Sequence, residues 1–279
     1  MKTVFVPKKK KKNFLTQGKL LFAGLLFFSL FALNTGTTVQ AATHKPGWHM
    51  NKKGQVYYYD ENGKKVTKKQ AQIGNKYYCF DKKGRQHVGW IQQNGHYYYY
   101  NIGAKKKGYL VCNKTINGIK LNSKGYAVTN TEKARLLTQA NKIVFNITNF
   151  KMNQTQKNKA CFMYIRDKMN WRNLSGFQKN NSHWDQYYAT YALFKGYGDC
   201  YTGGCGFAYL ATAAGAKKVY AVSSGGHGWA EINGKFYDPN WSKVTNSVKD
   251  YFAVPKSLSG RGGRPSWAKH RSYVKRIDK

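Results

Sequence analysis

Three residues late in the chain could together activate a thiol: Cys200, His227 and Asp238. Cys200 follows Gly196-Tyr197-Gly198-Asp199 and precedes an apolar run, Phe207 to Ala214, closed by Gly215. This pattern reads as a helix with the cysteine at its start and a glycine just past its end. Unsatisfied N–H groups and the positive end of the helix dipole favour a thiolate at such a position. His227 and Asp238 flank Asn233-Gly234, a dipeptide that marks a two-residue hairpin between apolar strands. A hairpin about that turn pairs 232 with 235, 231 with 236, 230 with 237 and 229 with 238. His227 then shares a strand face with Trp229 and lies diagonally from Asp238, within side-chain reach. A carboxylate can hold one imidazole nitrogen while the other faces the thiol, which suits attack on a carboxamide or peptide carbonyl.

A cysteine or a histidine alone reads better as a structural residue; the ordered combination carries the chemistry. Cys205 competes with Cys200 as nucleophile. A zinc site from Cys200, Cys205 and His227 is disfavoured because the spacing fits no common ligand set. No metal or cofactor is expected. Oxyanion donors could be the backbone N–H of Cys200 or the side chain of Gln186 or Tyr188. The site is expected in a surface cleft.

These residues need elements to hold them. Leu136, Ala140, Ile143, Val144 and Ile147 fall at helical spacing within 133–147. Residues 156–169 do the same with Ala160, Met163, Tyr164 and Met169, and Cys161 reads as a small core residue. A third helical stretch, 184–195, leads into the Cys200 loop, and 217–222 reads as a strand.

Gly198-Asp199-Cys200, the helix closing at Gly215, His227-Gly228-Trp229 and Tyr237-Asp238-Pro239 resemble the transglutaminase-like superfamily over about residues 131–245. The resemblance implies an α+β, papain-like core in which helices pack on an antiparallel sheet. It also implies Cys200 as nucleophile, His227 as general base and acid, and Asp238 as the residue that orients the imidazole. The interval from Cys200 to Gly215 favours Cys200 over Cys205. The chain departs from the family pattern at Gly203, Gly204 and Gly206, where an aromatic and alanines are usual. Each glycine costs about 1 kcal/mol of helix propensity, so a loose first turn or close approach of a substrate chain is expected.

A different pattern occupies residues 42–129. Gly54 to Asp60, Gly74 to Asp81 and Gly95 to Asn101 are copies of one motif, and Gly118 to Asn122 is a worn fourth. Their closing residues, 60, 81, 101 and 122, recur in steps of 21, 20 and 21. Each copy reads as an aromatic strand, an Asp/Asn-x-x-Gly turn and a second strand. Such hairpins cannot bury an aromatic face alone, so they are expected to stack as a β-hairpin solenoid. The copies resemble choline- and glucan-binding cell-wall repeats. The resemblance implies a wall polymer as ligand: choline, glucan or teichoic acid. Tyrosines stand where the family carries tryptophan.

Residues 1–41 read as a signal peptide. Lys8 to Lys12 is followed by the apolar stretch Leu20 to Leu33 and by small residues ending at Ala41. That stretch of 14 residues is short of the roughly 20 needed to span a membrane, so no transmembrane segment is expected after cleavage. Of 48 basic residues seven lie before Ala41, leaving 41 against 11 acidic ones. Export removes nucleic acid from the expected partners, and the excess of cations predicts adhesion to wall polyanions. Residues 257–279 are rich in Lys and Arg and read as a solvated basic tail that adds to wall binding, with a docked strand around Trp267 as the alternative. Five cysteines in an exported protein leave at least one free thiol or an intermolecular bridge. The expected organisation is a signal peptide (1–41), wall-binding repeats (42–129), a transglutaminase-like domain (130–256) and the tail. The expected function is a secreted, wall-associated cysteine enzyme of a Gram-positive bacterium, acting on peptide or protein amides by hydrolysis or acyl transfer. The alternative is a non-catalytic wall-binding or adhesion protein.

Overall fold

The computed structural model describes residues 44–174 and 176–279, so the expected signal peptide lies outside the described residues. Within this part the chain is mixed α and β, with several small sheets. In the repeats β1 (Gly47–Met50) pairs with β2 (Val56–Tyr59), and β3 (Ala71–Ile73), β4 (Lys76–Phe80) and β5 (Gln86–His87) form one sheet. Then β6 (Gly89–Gln93) pairs with β7 (His96–Tyr100), and β8 (Thr115–Ile116) with β9 (Ile119–Lys120).

The turn after each aromatic strand forms as read from sequence wherever the glycine is present. The carboxylate of Asp60 accepts from the N–H groups of Asn62 and Lys64, and that of Asp81 from Lys83 and Arg85. The amide oxygen of Asn122 likewise accepts from Lys124 and Tyr126. The sequence reading missed the partner strand on the other side. Each hairpin turn lies ahead of its aromatic strand, as at Asn94-Gly95, where both residues have positive φ (47° and 78°). Single bridges join different copies, Tyr78 to Tyr109 and Tyr98 to Tyr126.

Five α-helices follow: α1 (Thr131–Ile147), α2 (Gln154–Lys168), α3 (Trp184–Thr190), α4 (Cys200–Ala213) and α5 (Pro239–Val244). An Asn153/Gln156 capping box starts α2, and α3 runs on into a π turn, Tyr191–Lys195. Two short strands, β10 (Asn170–Trp171) and β11 (Tyr197–Gly198), pair in parallel just before α4. The main sheet is antiparallel, in the order β15 (Val254–Pro255), β14 (Lys235–Tyr237), β13 (Gly228–Ile232), β12 (Val219–Ser223), β16 (Tyr273–Arg276). Helix α4 packs against β12 and β13 and is flanked by α1, α2 and α3. Every residue from Tyr201 to Ala213 is buried, which explains its apolar composition on all sides.

The change of pattern at residue 129 is not a break in the core. Trp90, Val111, Ile119 and Leu121 of the repeats belong to the same buried cluster as Leu136, Phe207 and Trp229. Asn141 of α1 donates to the carbonyls of Val88 (2.7 Å) and Trp90 (3.0 Å). The C-terminal segment also differs from the solvated tail read from its charge. It returns as β16 beside β12, Ile277 is fully buried, and the Asp278 carboxylate accepts from the N–H groups of Lys218 and Val219. Backbone pairing and one buried isoleucine outweigh the tendency of the charges to stay in water. All five cysteines are free thiols. Among the described residues, no helix is long and apolar enough to cross a membrane.

Candidate active site

Cys200 is the first residue of α4. Asp199 caps that helix, its carboxylate accepting from the Thr202 N–H at 3.2 Å. The loop before it is held from the other side, because Gly198 pairs with Trp171 and its carbonyl accepts from Arg172 N–H (2.9 Å). Gly198 has φ +150, and any Cβ there would run into the Thr202 side chain. The thiol is thus fixed at the start of a buried helix while remaining half-buried itself.

The glycines of α4 make neither a loose turn nor room for a substrate chain. A Cβ on Gly204 would stand 2.8 Å from the Trp229 backbone, and one on Gly203 2.6 Å from the Trp171 ring. The strand contributes its own glycine, since a Cβ on Gly228 would stand 2.7 Å from Tyr201 Cα. Helix and strand therefore meet backbone to backbone at two points, Tyr201 with Gly228 and Gly204 with Trp229. Cys200 and His227 are the next residues out from the first of these contacts.

The hairpin has the register expected from Asn233-Gly234: Ile232 pairs with Lys235, Glu231 with Phe236 and Ala230 with Tyr237. His227 Nε2 and Asp238 Oδ2 are 2.6 Å apart. Cys200 is the other group that acts on the ring, favouring its protonated form. The structure thus brings together all three residues singled out from sequence. Burial opposes a charge on His227, but Asp238, through its charge and hydrogen bond, and then Cys200 outweigh it and raise the imidazole to about 10 from its ordinary 6.5. A raised value means that the folded state binds this proton more tightly than the unfolded chain. That stabilisation is fully present below about pH 6.5 and is lost as pH rises through about 10. The pair is more enclosed than a surface cleft would make it: the His227 side chain is 13% exposed and that of Asp238 0%.

Asp238 has a second task. It is the N-cap of α5, its Oδ1 accepting from Trp241 N–H at 3.0 Å, with Pro239 following at the first helical position. The Asp-Pro pair carried that signal in the sequence, where it was read only as part of a motif.

Three indoles surround the imidazole. Trp267 lies closest, ring centroids 4.9 Å apart, with Trp229 at 6.3 Å and Trp241 at 6.4 Å. Trp267 arrives on the C-terminal segment, which Glu231 ties to β13. That carboxylate is 2% exposed and pairs with Lys256 Nζ (2.6 Å) and Arg271 Nη2 (3.1 Å), residues on either side of Trp267 in sequence. Docking around Trp267 is an alternative the sequence offers, but its place over His227 is not, because nothing local links position 267 to position 227.

The other candidates fall elsewhere. Cys205 is 1% exposed, and burial, reinforced by Asp185 and Asp199, holds its thiol well above the ordinary range. The Tyr188 hydroxyl donates to the Gly176 carbonyl (2.8 Å) and accepts from Gln178 N–H (3.0 Å). The Gln186 amide hydrogen-bonds His183 at the start of its own helix. The single hydroxyl donor of Tyr188 is thus committed to Gly176. Among the described residues, no group of three or more His, Cys, Asp or Glu is placed to hold a metal ion. In the repeats, lysines lie over tyrosine faces: Lys65 Nζ is 4.8 Å from the Tyr57 centroid and Lys76 Nζ 4.0 Å from that of Tyr109.

No protein-family model matches the chain, and no curated protein does. Among solved structures, choline-binding protein F from Streptococcus pneumoniae is similar, with 31% identity over 30% of this chain and 27% of that one (TM-score 0.27). A choline-binding domain from Streptococcus pneumoniae is 28% identical over 30% of this chain and 95% of its own length (TM-score 0.26). The pneumococcal cell-wall endolysin of phage Cp-1, in complex with choline, is 25% identical over 32% of this chain and 27% of that one (TM-score 0.26). The matched stretch spans about a quarter of choline-binding protein F.

Proposed function

We propose that the protein is an exported, wall-associated cysteine enzyme of a Gram-positive bacterium. Its repeats hold wall polymer, and residues 130–256 act as a transglutaminase-like domain with a papain-like core. The observation that carries the enzymatic part is the 2.6 Å contact between His227 Nε2 and Asp238 Oδ2, on a ring whose protonated form Cys200, the first residue of α4, also favours. In this reading the Cys200 sulfur, its proton taken by His227, attacks an amide carbonyl carbon. The imidazolium returns that proton to the leaving amine as the C–N bond breaks, leaving a thioester on Cys200. Water then gives the acid, or a second amine a new amide, with His227 taking the proton of the attacking group. Asp238 keeps the ring in one orientation throughout. The Cys200 N–H stands at the first position of α4, where no intrahelical acceptor exists, and is available to the oxyanion. The wall-binding part is supported by the repeat pattern and by an excess of basic residues.

The second reading is a wall-binding or adhesion protein without catalysis. The likeness to choline-binding chains bears on binding and not on the thiol, so it fits this reading directly. Iodoacetamide labelling of the full chain near pH 7, followed by peptide mass mapping, separates the two. The enzyme reading expects fast labelling at Cys200 that slows in His227→Ala, together with release or exchange of amine from wall peptides. Slow labelling unaffected by His227→Ala, with wall peptides unchanged, would leave only the adhesion protein.

A further inference from the structure

A cavity of 370 Å³ lies where the repeats meet the helices, apart from the Cys200 site. It is walled by the first two repeat copies, the segment just after the third, the end of α1, Lys157 of α2 and the far end of α4. Cys200 opens α4 and Ala213 closes it, so the helix alone separates the two places by about 20 Å at 1.5 Å per residue. The volume is in the range of small-molecule sites.

The lining is chemically one-sided. It contains Lys53, Arg85 and Lys157 and no carboxylate. Arg85 is partly neutralised, since its Nε meets Asp81 at 2.7 Å outside the lining. The ammonium groups of Lys53 and Lys157 have no hydrogen-bond or ion-pair partner among the described residues. Burial pushes the Lys157 ammonium below its ordinary range, a cost that a bound anion would relieve. The ends of α1 and α4 bring partial negative charge, about half a unit each, which is less than the whole charges on the three cations. A cationic ligand does not fit, because the ring it would need is taken. Phe145 has the Arg85 guanidinium 4.5 Å from its centroid and the His87 ring at 4.2 Å. Amides such as Gln55 and Asn146 lie beside an apolar floor that includes Val88 and Ile102.

We propose that this cavity binds a phosphate-bearing sugar unit. The lysines and Arg85 take the phosphate, the amides take hydroxyls, and the apolar floor lies against the ring. The proposal is independent of the thiol chemistry, and Cys200→Ala should bind as the wild type does.

Calorimetric titration of the full chain with glucose 6-phosphate, glucose, inorganic phosphate and glucuronate tests it. Glucose 6-phosphate should bind at least about tenfold tighter than each of the other three, a difference worth about 1.4 kcal/mol. Lys157→Met and Lys53→Met should each weaken it by about tenfold. Circular dichroism should show both variants folded, because neither lysine has a partner to lose. Binding no tighter than glucose, or unchanged in both variants, would overturn the site. Equal binding of inorganic phosphate would overturn the sugar part, and tighter binding of glucuronate the phosphate part. Competition by a purified sugar-phosphate wall polymer assigns the polymer as source; binding of the free sugar phosphate without such competition assigns the monomer.

Discussion

In the repeats, Gly95 has φ 78° and nothing within 4 Å of where a Cβ would stand, whereas in α4 Gly204 is helical and that point lies 2.8 Å from the Trp229 backbone. The first glycine answers a local need, a two-residue turn that no other part of the molecule has to confirm. The second answers a contact with a strand 25 residues further along the chain. Aromatic rings divide in the same way. Tyr57 and Tyr109 present faces to lysines near the surface, while three indoles close around His227. The repeats are built turn by turn and offer a surface; the thiol site is built by non-local packing and encloses a pair of residues.

That contrast breaks most sharply at the thiol. Cys200→Ala should abolish acyl transfer on wall peptides and leave wall binding intact, while Cys205→Ala, buried beside α3, should keep most activity and lower the melting temperature. Equal loss of activity from both would make them a structural thiol pair and erase the division of labour.

His227→Ala should cost more activity than Asp238→Asn, which keeps an acceptor but loses the charge; loss for the latter can reach about 10⁴-fold. Without that charge, burial is left to dominate and the imidazole should fall from about 10, so the alkaline limb of the pH–rate profile moves to lower pH. An unmoved limb would show that another acceptor holds the ring. Asparagine still caps α5, so Asp238→Asn should lose only the pH-dependent stabilisation that the charge gives protonated His227, whereas Asp238→Ala should lose about 1 kcal/mol more in a thermal melt.

Gly204→Ala compares the two kinds of glycine directly. It should destabilise by about 1–3 kcal/mol through overpacking and reduce activity by moving β13 off α4. Gly95→Ala should cost about 1 kcal/mol through its positive φ and leave activity alone. Paired thermal melts and rate assays check both; equal effects on activity would mean that the site does not depend on the close approach of helix and strand.

The smallest effect belongs to the aromatic faces. Tyr57→Ala combined with Tyr109→Ala should weaken sedimentation with purified walls by a few-fold, as expected for exposed cation–π faces worth about 0.5–1 kcal/mol each, with acyl transfer unchanged. Wall binding unaffected by both changes and released by salt would move adhesion from the rings to the bulk positive charge.

Much of this is legible in the amino-acid sequence. The Asn233-Gly234 turn sets the register that leads to Asp238, because a two-residue loop of that type allows one pairing. The Asp/Asn-x-x-Gly turns, the three helical stretches and Gly215 just past the end of α4 were equally local. The strands ahead of each aromatic repeat were missed because their Gly-Asn and Asn-Gly turns were read as the start of a motif rather than the middle of a hairpin. The C-terminal segment was misread because its charge outweighed, in composition, the single isoleucine and aspartate that dock it.

The sequence by itself determined the turns, the helix that Cys200 opens and the pairing that puts His227 near Asp238, since each depends on neighbours a few bonds away. Tertiary structure alone decided that Gly204 and Gly228 let α4 and β13 touch, that Trp267 returns to cover His227, and that the repeats share one core with the helices. Those outcomes depend on volume and burial summed over distant segments, and no local pattern of residue types encodes which backbone will stand 2.8 Å from a missing methyl group.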